Sequence, residues 1–118
     1  MKTLFKHTMK NPNFEQVLDV SAQEVFDNAQ NLNLIDVRQP EEFTGELGHV
    51  AHSKLIVLNT IPENLNAIAT DKPTVFICRS GGRSAQACAY ALSQGHTHVY
   101  NMMGGMLMWN QLMLPTEK

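Results

Sequence analysis

Long apolar runs are absent from this sequence. No segment approaches the roughly 20 consecutive apolar residues that a membrane-spanning helix needs, and Met1-Lys2-Thr3-Leu4-Phe5-Lys6-His7 is interrupted by charge before a signal-like apolar core develops. The expected location is therefore the cytoplasm, with no membrane partner. Cysteine is scarce. Two residues, Cys78 and Cys88, cannot build a disulfide framework and are read as reduced thiols. An excess of one charge sign is lacking too: a formal net charge of -2 with mixed signs gives no electrostatic case for nucleic acid. Small anions or other proteins remain as partners. No internal repeat, linker or low-complexity tract is found, and 118 residues suit one domain large enough for a real core.

What is present converges on Thr74 to Leu92. Thr74-Val75-Phe76-Ile77 is an apolar run without alternation, the pattern of a strand covered on both faces in a parallel sheet. Cys78-Arg79-Ser80-Gly81-Gly82-Arg83-Ser84 follows, and Ala85, Cys88, Ala89 and Leu92 then recur at helical spacing as one narrow apolar face. A loop pinned between strand and helix start meets free backbone N–H groups and positive partial charge, which suit an anion. Gly81 and Gly82 are expected to adopt positive φ so that successive amides form a concave nest. Arg79 and Arg83 add planar donors matched to oxyanions. Cys78, at the rim, is read as a nucleophilic thiolate. Cys88 reads as a small apolar residue packed on the sheet.

The flanking chain supplies the frame. Val17 to Val20 suits a short strand, and the S-x-x-E spacing of Ser21 and Glu24 predicts a capping box opening a helix through about Gln30. Leu32 to Val37 reads as a second strand, Pro40 opens a short helix, and Leu55 to Leu58 reads as a further strand. A helix is expected from Thr60 to about Ala69, then the central strand, a helix closed by Gly95, and a strand at His98 to Tyr100. Residues 1–13 are expected to form an N-terminal extension with some mobility, and residues 14–118 a single domain. At the site, Asp36 is expected to accept loop N–H bonds and Arg38 to pair with Glu41 or Glu42. Five methionines between Met102 and Met113 suit core filling better than soft-metal binding, and His49, His52, His96 and His98 lack the neighbours of a metal site.

The spacing narrows the chemistry. Phosphatases with a cysteine in a similar cradle place five residues between it and their arginine, whereas four separate Cys78 from Arg83. The smaller loop suits one extra sulfur atom on Cys78 rather than a phosphoryl group. Cys78-Arg79-Ser80-Gly81-Gly82-Arg83-Ser84 closely resembles the active-site loop of single-domain rhodaneses, the thiosulfate sulfurtransferases. Leu34-Ile35-Asp36-Val37-Arg38-Gln39-Pro40-Glu41-Glu42-Phe43 is similar to the D-V-R-x-x-x-E-F signature of that family, and Gly104-Gly105-Met106-Leu107-Met108-Trp109 to its G-G-x-x-x-W helix.

The resemblance implies an α/β, rhodanese-like three-layer fold, with a mostly parallel sheet of about five strands flanked by helices on both faces. It implies a Cys78 persulfide that takes sulfur from thiosulfate or a similar small anionic donor and passes it to a thiol or cyanide. Arg79, Ser80, Gly81, Gly82, Arg83 and Ser84 are the implied anion cradle, Asp36, Arg38 and Glu42 its supports, and no cofactor or metal is required. A protein sulfur donor or acceptor is the further partner class, and a non-catalytic relay module is the alternative function. Phosphatase or arsenate-reductase chemistry ranks lower. The family's usual Pro-Gly-Ala after G-H-I is replaced here by Ala51-His52-Ser53, which is expected to alter the rim of the pocket.

Overall fold

Six short strands and five helices make up the computed structural model, which describes residues 5–118. The strands are β1 (Met9–Lys10), β2 (Leu18–Val20), β3 (Asn33–Asp36), β4 (Lys54–Leu55), β5 (Thr74–Ile77) and β6 (Val99–Met102). The helices are α1 (Ala22–Asn28), α2 (Pro40–Phe43), α3 (Ile61–Asn64), α4 (Gly82–Ser93) and α5 (Gly105–Gln111). The sheet order is β1-β2-β6-β5-β3-β4, and every neighbouring pair is parallel except β1 with β2.

Strand β5 explains its own sequence. Val75 and Ile77 face a cluster with Val25 of α1 and Met106 and Trp109 of α5. Phe76 faces the opposite cluster, with Ala87, Cys88 and Ala91 of α4 and Ile61 of α3. Alternation is missing because both faces are covered. Val75, Phe76 and Ile77 have no exposed surface, and burial of each contributes about 1.5–3 kcal/mol. Cys78 therefore sits at the end of a firmly anchored strand. Helix α4 starts where Gly81 turns at φ 105° and is followed by Gly95 at φ 100°, and its small residues let it lie close to the sheet.

Three expectations change. The sheet has six strands rather than about five, because Met9–Lys10 pair antiparallel with β2 at the edge. Strand pairing thus extends upstream of Phe14. Phe5 is buried edge-to-face on Tyr100, with ring centroids 4.9 Å apart. Residues 1–4 of the expected N-terminal extension lie outside the described residues. Secondly, Ser21 caps α1 by accepting from Glu24 N at 3.1 Å, but the Glu24 carboxylate does not close the box. It accepts instead from Lys6 N and His7 N, tying that upstream segment to α1. Thirdly, the strand expected over Leu55 to Leu58 stops after Leu55 and turns into a 3-10 helix at Leu58, although Ile56 N and Leu58 N still reach Asp36 O and Val37 O.

Candidate active site

The cysteine loop lies beyond the carboxyl end of β5, where open parallel sheets hold their ligands. Cys78 Sγ accepts from Gly81 N at 3.0 Å and lies 3.2 Å from Ser84 Oγ. The residue is only 1% exposed. The loop is held from behind by the first turn of α5, whose unpaired amides find partners in it. Met106 N donates to Cys78 O at 2.9 Å and Leu107 N to Arg79 O at 3.0 Å. In a trans peptide the N–H opposes the C=O, so the Arg79 and Ser80 amides turn away from α5.

Two glycines permit this contact, and they are not the expected pair. Gly81 has positive φ and approaches Gly104, where a Cβ would come within 3.2 Å of the backbone nitrogen. Gly105, at φ 56°, is packed so tightly on the loop that a Cβ would stand 2.5 Å from the Arg79 carbonyl. Gly82, expected to share the positive-φ role, is instead the first residue of α4 with helical backbone, and a Cβ there would meet nothing within 4 Å. One left-handed residue suffices to aim the amide at Sγ; the helix then begins.

The charged supports are paired differently from the expectation. Arg38 contacts neither Glu41 nor Glu42. It is 1% exposed, and its Nε and Nη2 donate to the fully buried Asp36 at 2.9 and 2.8 Å, with a further Nη2 bond to Gly48 O at 2.7 Å. A buried guanidinium requires a close carboxylate, and Asp36 is two residues away on the same strand end. Asp36 also accepts from Arg38 N, the loop amide it was expected to take. Glu42 pairs with Arg83, which donates through Nη1 at 2.7 Å and Nη2 at 2.9 Å. These hydrogen bonds outweigh burial and hold the Glu42 carboxyl at about 2, while the same pair pushes Arg83 upward. Arg79 and Ser80 are exposed, and the Arg79 side chain has no partner among the described residues.

Ser84 is fully buried, and behind it runs a polar chain that sequence reasoning missed. Ser84 Oγ bonds Asn101 Oδ1, Asn101 Nδ2 donates to Asp19 Oδ1 at 2.9 Å, and Asn11 Nδ2 donates to the same oxygen at 3.0 Å. The available signal was a polar residue inside each of two otherwise apolar strands, Asp19 in β2 and Asn101 in β6. Cys88 is buried in the α4-side cluster, and desolvation, with the Asp19 charge adding to it, pushes its thiol up to about 12. It is therefore a packing residue. Among the described residues no three His, Cys, Asp or Glu side chains gather as a metal cluster, and no helix is long and apolar enough to cross a membrane.

A six-stranded, mostly parallel sheet covered by helices, with a buried cysteine between strand end and helix start, defines an α/β domain with a candidate site at the carboxyl end of β5. The chain belongs to the rhodanese-like domain family, whose model matches residues 21–112, and this groups it with sulfurtransferases. It is 35% identical over 88 residues to a sulfurtransferase of Allochromatium vinosum, covering 75% of this chain and 80% of that protein. It is 28% identical over 99 residues to a thiosulfate sulfurtransferase of Pseudomonas aeruginosa, covering 84% and 86%. The crystal structure of a rhodanese-related protein from Thermoplasma volcanium superposes with a TM-score of 0.75 at 29% identity, covering 82% of this chain and 94% of that one.

The departure at Ala51-His52-Ser53 does not shape the rim of the cysteine cradle. These residues precede β4, whose Lys54 is level with Ile35 of β3, so His52 lies toward the amino ends of the strands. Ala51, His52 and Lys54 line a cavity of about 530 Å³ with Leu32, Asn33 and Ile68. His52 takes φ 67° there, at the place where the family carries Gly.

Proposed function

We propose that this protein is a sulfurtransferase carrying sulfane sulfur as a persulfide on Cys78. The observation that carries the reading is the buried Cys78 Sγ with the Gly81 amide 3.0 Å away, in a loop with four residues between cysteine and arginine. So buried a sulfur is suited to a donor with a slender terminal atom, such as the outer sulfur of thiosulfate. The Cys78 thiolate attacks that sulfur, the S–S bond of thiosulfate breaks, and sulfite leaves with the electron pair. The negative charge moves to the outer persulfide sulfur, where amides between Arg79 and Ser84 stabilise it. An acceptor thiolate or cyanide then takes the outer sulfur and returns the electron pair to Cys78.

In this reading Arg79 attracts the anionic donor, while Ser80, Gly81, Gly82, Arg83 and Ser84 shape the cradle. Glu42 braces Arg83 against the helix start, and the Asp36–Arg38 pair fixes the floor. A protein acceptor is a second reading of the partner, favoured by Leu107 and Met108, which are 39% and 38% exposed on the helix that buttresses the loop. The test is intact mass after incubation with thiosulfate. The protein gains one sulfur atom and Cys78→Ser does not; equal gain by the serine variant would remove Cys78 as the carrier. Hydrolysis of an aryl phosphate would favour phosphatase chemistry instead.

A further inference from the structure

Behind the cradle, the chain Ser84–Asn101–Asp19–Asn11 is buried along its whole length, with exposures of 0, 1, 5 and 8%. The sulfur-transfer steps above do not use it beyond Ser84. Its hydrogen bonds have a fixed direction. The Asp19 carboxylate can only accept, so it takes the Nδ2 groups of both Asn101 and Asn11. With Nδ2 committed to Asp19, Asn101 must turn Oδ1 toward Ser84. That oxygen cannot donate, so the short Ser84–Asn101 contact takes the single hydroxyl proton of Ser84. An oxygen lone pair is then what Ser84 presents to Cys78 Sγ, 3.2 Å away.

A lone pair beside Sγ welcomes an S–H and repels a thiolate. The Gly81 amide, 3.0 Å from the same sulfur, has the opposite preference. We propose that Asn101, locked by Asp19, is a positioning residue that keeps the Ser84 proton off Cys78 Sγ. Charge is thereby disfavoured on the inner sulfur. The thiolate is kept more reactive, since nucleophilicity falls as a thiolate is stabilised. Once the outer sulfur is attached, charge moves onto it and the repulsion at Sγ is relieved. This use of the chain rests on the persulfide reading, although the hydrogen-bond direction does not.

The charged groups around Cys78 come from several elements. Arg83 of α4 feels the cysteine and is paired with Glu42 of α2, and the Asp36–Arg38 pair lies at the end of β3. Exposed Arg79 follows Cys78 in the loop, Asp19 of β2 stands beyond Asn101, and α5 has no charged residue. All are retained when Asn101 is changed. A hollow of about 180 Å³, lined by Asn13, Asp19, Gly82, Asn101 and Met103 among others, keeps Asp19 within reach of water when its Asn101 partner is removed.

The test is ultraviolet absorbance of the thiolate across pH, each variant being compared with the same variant carrying Cys78→Ser, which cancels Cys88 and the tyrosines. Asn101→Leu keeps the branching of the side chain and removes the acceptor, freeing the Ser84 proton to donate to sulfur. Its midpoint is expected about one pH unit below the parent, the size of one hydrogen bond to a charged group. In a Ser84→Ala background the same substitution should leave the midpoint unmoved. No shift in the parent background, or equal shifts in both, overturns the proposal; Asn101→Ala carries the same expectation and replaces the leucine variant if that chain does not fold. Intact-mass loading with thiosulfate separates this from the broader reading. Sulfur on Cys78 with an unmoved titration refutes the positioning role alone, whereas no sulfur refutes the transferase function and leaves the titration to judge Asn101.

Discussion

Replacing Glu42 by glutamine keeps the side-chain shape and its capacity to accept from Gln39 N, and removes only the charge facing Arg83. Hydrogen bonds from Arg83 hold Glu42 at about 2, down from an ordinary 4.5, which taken in full corresponds to about 3 kcal/mol. Both side chains keep contact with water, Arg83 being 36% and Glu42 27% exposed. Solvent screening therefore reduces the net contribution to about 1 kcal/mol. Its sign is set by the direction of the shift. A carboxyl held lower in the folded state contributes stability above its unfolded value and loses it as the pH falls through the folded one. Urea unfolding of the parent and Glu42→Gln should differ by about 1 kcal/mol at neutral pH, with the gap closing between 4.5 and about 2. A gap of equal size at neutral and strongly acidic pH would refute the charge explanation.

Other substitutions separate packing from chemistry. Gly105→Ala drives a methyl group into the Arg79 carbonyl at positive φ and should cost about 2–4 kcal/mol in denaturant unfolding, whereas Gly82→Ala should be neutral or stabilise by up to about 1 kcal/mol. His52→Gly relieves the left-handed backbone at φ 67° and should raise stability by about 0.5–1 kcal/mol with no change in thiosulfate turnover. Arg79→Ala should raise the KM for thiosulfate by about tenfold or more, the loss of one charge-assisted hydrogen bond, at unchanged thermal stability. An unaltered KM would remove Arg79 from donor binding.

What could be read from the chain and what could not divide along sequence distance. Thr74 to Leu92 was legible because its signals are local: an unbroken apolar run, a cysteine, glycines, then helical spacing. The limits of β5 agree with that expectation, and α4 begins earlier because Gly82 is already helical. Strand β1 left no trace, since two exposed residues at a sheet edge have no periodicity to detect. The partners of Arg38 were misjudged because several acids lie within reach along the chain, and only burial selects Asp36. Glu42 was then free for Arg83, 41 residues away. Asn101 and Asp19 are 82 residues apart and meet only because β2 and β6 lie side by side. Asp19 falls inside the strand expected at Val17 to Val20, whereas Asn101 lies just beyond the one expected at His98 to Tyr100; their connection to Ser84 needed the sheet order.

The loop carbonyls of Cys78 and Arg79 are held by amides of Met106 and Leu107, so the cradle is assembled from two parts of the chain made at different times. During synthesis the cysteine emerges well before the helix that aims the amides around it. A chain stopped short of Gly105 therefore has the thiol and β5 without the buttress that shapes the anion nest. If Cys78 carries sulfur as proposed, loading in such nascent chains should begin only once α5 is in place.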